Sequence, residues 1–235
     1  MTTRGARATR GPDRLEEALG ELQQRLERHP PERYPVQHAA AQLALGLALT
    51  SAGRLEEAET ALVVAARLFP LEQLPVEHAK AMNALGAMLR LAGRPREAVR
   101  AFGRAEAVFE ACGSFLERGA AAFNLGLAQR EGGEPASALV SFERALDALE
   151  AEGASAQAAA AARELGSTRL TSGDVGAAAK ALVRAEALAD RAGDLASLGA
   201  AAVHRRPPPK HTVALPTVPR TPSWLSIHTS HSAQS

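Results

Sequence analysis

A single cysteine, Cys112, stands in a chain of 235 residues, so no disulfide framework can close within it, and such usage suits a reducing cytoplasm. Aromatic residues make up only 3% of the chain although 46% is apolar, and alanine makes up the difference. Small side chains let helix backbones approach closely, but they bury less area per residue than Phe and Leu, so modest stability is expected. No run approaches the roughly 20 apolar residues needed to span a bilayer. Residues 1–12 carry Arg4, Arg7 and Arg10 with no apolar segment behind them, so neither a secretory signal nor a membrane partner is expected.

Acidic residues are missing from both ends. Residues 1–12 hold three arginines and no Asp or Glu, and residues 205–235 hold Arg205, Arg206, Lys210 and Arg220, again with no acid. The 192 residues between them carry 20 basic against 26 acidic groups, a net charge of −6. The pI near 8.0 is therefore a property of the ends, and the middle lacks the basic stripe that nucleic-acid binding requires. Catalytic signatures are missing as well: there is no phosphate loop, no dinucleotide fingerprint, no His-Glu-x-x-His and no serine nucleophile elbow. Neither an enzyme nor a cofactor is expected.

What the chain has is one pattern written four times at forty-residue intervals without a gap. Leu45-Gly46 recurs as Leu85-Gly86, Leu125-Gly126 and Leu165-Gly166. Gly53 recurs as Gly93, Gly133 and Gly173, and Ala58 as Ala98, Ala138 and Ala178. A fixed period of this length predicts an all-α solenoid of stacked helix hairpins, each burying its apolar face only against its neighbours. In the first copy, Ala39, Leu43, Gly46 and Leu47 follow helical spacing, and Gly53 offers a left-handed stop. A second helix is predicted from Leu55 to Leu68, ended by Pro70 and antiparallel to the first because the turn is short. Pro95 and Pro135 open later second helices, and Asp174 offers a side-chain cap in the fourth. The expected units lie near 36–75, 76–115, 116–154 and 155–193.

Residues 13–28 read as an orphan second helix, since Leu15-Glu16-Glu17-Ala18 matches Leu55-Glu56-Glu57-Ala58, and it is expected to cap that end. At the other end, residues 199–204 begin the pattern of 119–124 again, as a partial helix over 195–204. Arg205-Arg206 then stands where Leu-Gly belongs, and three prolines forbid further helix. The Pro-, Ser-, Thr- and His-rich segment 205–235 is expected to be disordered, as is the basic segment 1–12. Two origins stay open for the tail: a docking segment around Trp224, or an interrupted repeat followed by out-of-frame sequence.

The pattern resembles the tetratricopeptide repeat in its longer variety, as in kinesin light chain-like and MalT-like repeats. The first copy carries that motif at Leu45, Gly46, Leu49, Ala58, Leu62, Ala65 and Pro70, and the second at Leu85, Gly86, Leu89, Ala98, Phe102 and Ala105. The third and fourth depart from it with Gln129 and Arg169, where a large apolar residue is usual. The resemblance implies a non-enzymatic scaffold for a protein or peptide partner. Mapped onto the family's groove positions, the lining includes Leu43, Leu47, Lys80, Asn83, Ala87, Arg90, Phe123, Leu127, Arg130, Arg163 and Ser167, with Asn124 where longer-repeat relatives hold a peptide backbone. Four cations among apolar residues would complement an acidic, partly apolar segment. The clamp that reads chaperone C-termini is not restored. The alternatives are a regulatory or sensor fragment of a larger signalling or transcriptional protein, or a truncated remnant that dimerises through the C-terminal end of its array.

Smaller features have plain readings. His38 and His78 are related by the repeat but come with no third ligand, so no metal site is expected. Cys112 is expected to be a buried or half-buried thiol rather than a nucleophile. Glu16-Glu17 and Glu56-Glu57 open helices, where negative charge suits the dipole.

Overall fold

A computed structural model describes residues 11–193, with side chains from Arg14 onward. Of the segment 1–12 expected to be disordered, residues 1–10 lie outside the described residues and Gly11 and Pro12 belong to the first helix instead; the expected segment 205–235, the partial helix over 195–204 and the dimer contact through it also lie outside the described residues. Within them there are nine α-helices and no strands. A lone helix, α1 (Gly11–Arg28), precedes four hairpins: α2 (Pro35–Ser51) with α3 (Leu55–Leu68), α4 (Pro75–Leu91) with α5 (Pro95–Ala111), α6 (Phe115–Glu131) with α7 (Pro135–Ala151), and α8 (Ser155–Thr171) with α9 (Val175–Ala192).

The recurring residues build recurring local structure. Gly53 closes the first hairpin turn at φ 75°, a left-handed conformation that costs an L side chain about 1–2 kcal/mol. Around it Arg54 N–H donates to Leu49 C=O, and Gly53 N–H to Thr50 C=O, which caps the orphan carbonyls of α2. The same bonding recurs at Arg94, Glu134 and Asp174, each onto the carbonyl five residues back. Pro35, Pro75, Pro95 and Pro135 sit at the first helical position, where a missing N–H loses nothing. Asp174 supplies a side-chain cap, accepting from Ala177 N–H at 3.0 Å.

Each hairpin is zipped along a seam of small residues. The backbone of Gly46 meets Leu62, and likewise Gly86 meets Phe102, Gly126 meets Phe142 and Gly166 meets Leu182. Near the open end of the third hairpin, Gly119 meets Leu149. As the first residue number rises along α6 the second falls along α7, so the two helices are antiparallel. Ala58, Ala98, Ala138 and Ala178 are wholly buried in these seams. Each hairpin also packs on the next: Phe69 and Ala65 share a buried cluster with Ala81, and Phe109 and Ala105 with Ala121.

Helix α1 occupies the place of a second helix, and among the described residues no first helix pairs with it. Leu19 is buried in the core shared with α2 and α3, while Ala18 is exposed, unlike its four wholly buried counterparts. Arg25, which is exposed, stands where Ala65, Ala105, Ala145 and Ala185 are buried. Between α1 and the first hairpin lies an open cleft of about 260 Å³, lined by Leu19, Leu45, Leu49 and Ala61 with Gln23, Gln42 and Arg54 at its polar side.

Candidate functional site

The first helices touch one another directly, α2 with α4, α4 with α6 and α6 with α8, and so form one continuous row. Side chains at matching repeat positions therefore lie beside each other across that row. Leu43 and Leu47 on α2, Lys80, Asn83, Ala87 and Arg90 on α4, Leu127 and Arg130 on α6, and Arg163 and Ser167 on α8 are all half-buried. Each is therefore partly open to solvent.

Two residues of the expected lining sit deeper. Phe123 is 4% exposed, its ring tilted against Phe142 at 5.9 Å between centroids, so it belongs to the seam of the third hairpin. Asn124 is 5% exposed and its Nδ2 donates to Asn83 Oδ1 at 3.4 Å, a long bond that ties α6 to α4. The amide of Asn83, which is half-buried, is the more accessible member of that pair.

The charges are also arranged differently from a row of free cations. Arg90 Nη1 donates to Glu131 Oε1 at 2.6 Å, across from α4 to α6. Arg130 Nη1 donates to Glu164 Oε2 at 2.6 Å, across from α6 to α8, and its guanidinium lies 5.9 Å from the Phe142 ring centroid. Arg163 approaches the same Glu164 at 3.9 Å. Lys80 has no ion-pair partner among the described residues. Reading the four cations alone missed the two carboxylates that answer them. Part of the signal was present: Glu131 follows Arg90 by 41 residues, about one repeat, whereas Glu164 follows Arg130 by 34 and keeps no such register.

The departures from the repeat motif are paired as well. Gln129 Oε1 accepts from Ser141 Oγ at 2.7 Å, and Ser141 is 1% exposed. Arg144 Nη2 donates to that hydroxyl at 3.3 Å and to Glu106 Oε2 at 3.1 Å. Glu106 is 9% exposed, and desolvation pushes its carboxyl above the ordinary range despite the pull of Arg144. Arg169 pairs with Glu143 and donates to Ala177 C=O at 3.4 Å.

His38 and His78 have structural partners. Each places Nδ1 against the backbone carbonyl nine residues earlier, His29 at 2.8 Å and Phe69 at 3.2 Å, pinning the Pro-containing connection between units. Cys112 corrects the expectation of a buried thiol: it caps α5 in a three-residue connection and is exposed. Among the described residues no group of three or more His, Cys, Asp or Glu is placed to hold a metal, and no helix is long and apolar enough to cross a membrane.

Residues 77–151 match the model of the tetratricopeptide repeat family. Solved structures share the fold at low identity. Aspartyl phosphate phosphatase F from Bacillus subtilis is 15% identical, with a TM-score of 0.68 over 80% of this chain and 48% of its own. The chain thus spans about half the length of that phosphatase. MamA is 18% identical, with a TM-score of 0.60 over 80% of this chain and 99% of its own. A putative kinesin light chain with nearly identical TPR-like repeats from Podosopora anserina is 19% identical, with a TM-score of 0.60 over 76% of this chain and 88% of its own. No curated protein matches the chain in sequence.

Proposed function

We propose that this tetratricopeptide-repeat protein is a non-enzymatic scaffold that holds a segment of another protein along its row of first helices. The observation that carries the reading is the continuous contact of α2, α4, α6 and α8, which sets half-buried apolar and polar side chains side by side over four repeats. Leu43, Leu47 and Leu127 supply apolar contact, and Asn83 supplies an amide for a peptide backbone. Arg90 is answered by Glu131, and Arg130 and Arg163 share the one carboxylate of Glu164, which narrows the acidic preference to Lys80 and the Arg130–Arg163 pair, with the remainder of the partner apolar or of mixed charge. A segment bound in this way has micromolar affinity, roughly −7 to −9 kcal/mol.

Site-specific photocrosslinking tests this. A benzophenone side chain at Leu127, and separately at Val140, which is 54% exposed on α7, is activated in cell extract. A discrete adduct at Leu127 and none at Val140 is expected. Equal labelling at both sites, or adducts at Val140 alone, would overturn the assignment. The Lys80→Glu variant is expected to weaken capture and to lower its dependence on salt.

A further inference from the structure

The two edges of the array treat their charges differently. At the hairpin turns, Arg54 and Arg94 fold back onto Glu57 and Glu97 at 2.7 Å. The opposite edge is made of the connections between units and the first turns of α2, α4 and α6, residues 29–38, 69–78 and 112–118. There Glu32, Glu72, Glu77 and Glu117 have no ion-pair partner among the described residues. Of the two arginines in these segments, Arg118 is paired with Glu110 at 3.1 Å, and Arg33, over the Tyr34 ring, is left to answer four carboxylates. First-helix N-termini alternate here with second-helix C-termini, so the helix dipoles offset one another and the side chains set the charge.

Apolar side chains stand among these carboxylates. Val36, Leu71, Phe115 and Leu116 are all at least 40% exposed, although Arg118 lies over one face of the Phe115 ring. Val36, Val76 and Leu116 occupy the same repeat position on helices that touch in sequence, so they lie beside one another along the edge, with Val76 half-buried between the other two. Packed helices are spaced by roughly 8–10 Å, close to the rise of about seven residues of an α-helix.

We propose that this edge is a second docking surface, which takes a basic amphipathic helix of another protein laid across the ends of α2, α4 and α6. Apolar residues of that helix, spaced by about seven positions, meet Val36, Val76 and Leu116. Lysine or arginine beside them meets Glu32, Glu72, Glu77 and Glu117. These carboxylates are unpaired beforehand, so no ion pair breaks to receive a cation, whereas an anion reaching Arg90 or Arg130 competes with Glu131 or Glu164. The same acidity repels nucleic acid and anionic lipid. The chemistry is opposite to that of Lys80 and the arginines on the row of first helices, so the two surfaces take different segments.

Fluorescence anisotropy on the full chain tests this. The probe is a labelled helical peptide of leucine and lysine with one apolar face, set against the same peptide with glutamate for lysine. The lysine peptide is expected to bind, more weakly at high salt, and the glutamate peptide to stay free. The joined substitutions Glu77→Lys and Glu117→Lys are expected to weaken binding about tenfold, and Leu71→Asn with Leu116→Asn to a similar degree. Val140→Asn, on the outer face of α7, is expected to leave it unchanged. Equal binding of both peptides, binding of neither, or binding that both edge variants leave intact overturns the proposal. Attachment to phosphatidylserine vesicles that is lost with Leu71→Asn and Leu116→Asn also overturns it, in favour of a membrane surface. The charge variant decides the question if the leucine variant does not fold. Photocrosslinking at Leu127 is a separate measurement, so failure at this edge leaves the reading of the row standing.

Discussion

The Phe142 ring lies so close to the backbone of Gly126 that a Cβ added to the glycine would stand 2.6 Å from its Cε1. Atoms cannot share that space, so the Leu-Gly dipeptide of each repeat is a steric requirement of the ring or leucine opposite it.

Gly126→Ala must push Phe142, itself wholly buried, off its rotamer. A cost of about 1–3 kcal/mol is expected, as for other overpacked cores. Gly133→Ala has open space around its Cβ but sits at φ 82°, so about 1–2 kcal/mol is expected from the backbone alone. Urea denaturation of both variants checks the pair. A neutral Gly126→Ala would show that the seam has slack.

Arg130 and Glu164 are half-buried, which places their coupling in the upper part of the range of surface pairs. A double-mutant cycle with Arg130→Ala and Glu164→Ala is expected to give about 0.5–1 kcal/mol of coupling, falling in high salt. The single Arg130→Ala should cost more than the coupling, because its guanidinium also lies over the Phe142 ring.

Glu106 titrates in the opposite sense to a salt-bridged acid. Burial raises its folded carboxyl above the unfolded value, so its favourable contribution is complete below that value and is lost as pH rises through the folded one. Relative to Glu106→Gln, which cannot titrate, the native chain should therefore gain stability as pH falls from neutral into the carboxylate range. At neutral pH the variant should be no less stable than the native chain by more than about 1 kcal/mol, since the lost bond to Arg144 is offset by relief of a buried charge. Urea midpoints at two pH values decide it. A variant that weakens further as pH rises would mean that the ion pair outweighs desolvation.

Cys112 should react with a thiol reagent in native buffer at nearly the rate seen in denaturant, because it is exposed outside the packed seams. A large protection factor would show that the α5–α6 connection is covered in solution.

The repeat itself was legible because steric needs recur with the fold. Every Leu-Gly, every left-handed glycine and the prolines at helix starts answer constraints within about twenty residues of themselves, and such constraints leave a mark at a fixed interval. The same regularity let Asp174 be read as a cap and α1 as a counterpart of the second helices. Phe123 and Asn124 were placed by analogy on the groove, and the packing of α6 against α4 and α7 drew them inward instead. Cys112 went the other way, because a three-residue connection leaves no neighbour to cover it.

Chain order alone determined the hairpins, their number within 11–193, their turns and the alternation of small and large residues along each seam, since all of these rest on local geometry. Tertiary packing decided the electrostatics. Whether Arg90 and Arg130 face a partner as free cations or arrive already neutralised depends on where side chains one repeat away come to rest. The same holds for the polar chain from Gln129 to Glu106, which exists because stacking brings α5, α6 and α7 together at one point. Coulombic and hydrogen-bonding partners are chosen by distance in space, and that distance is set only when the hairpins stack.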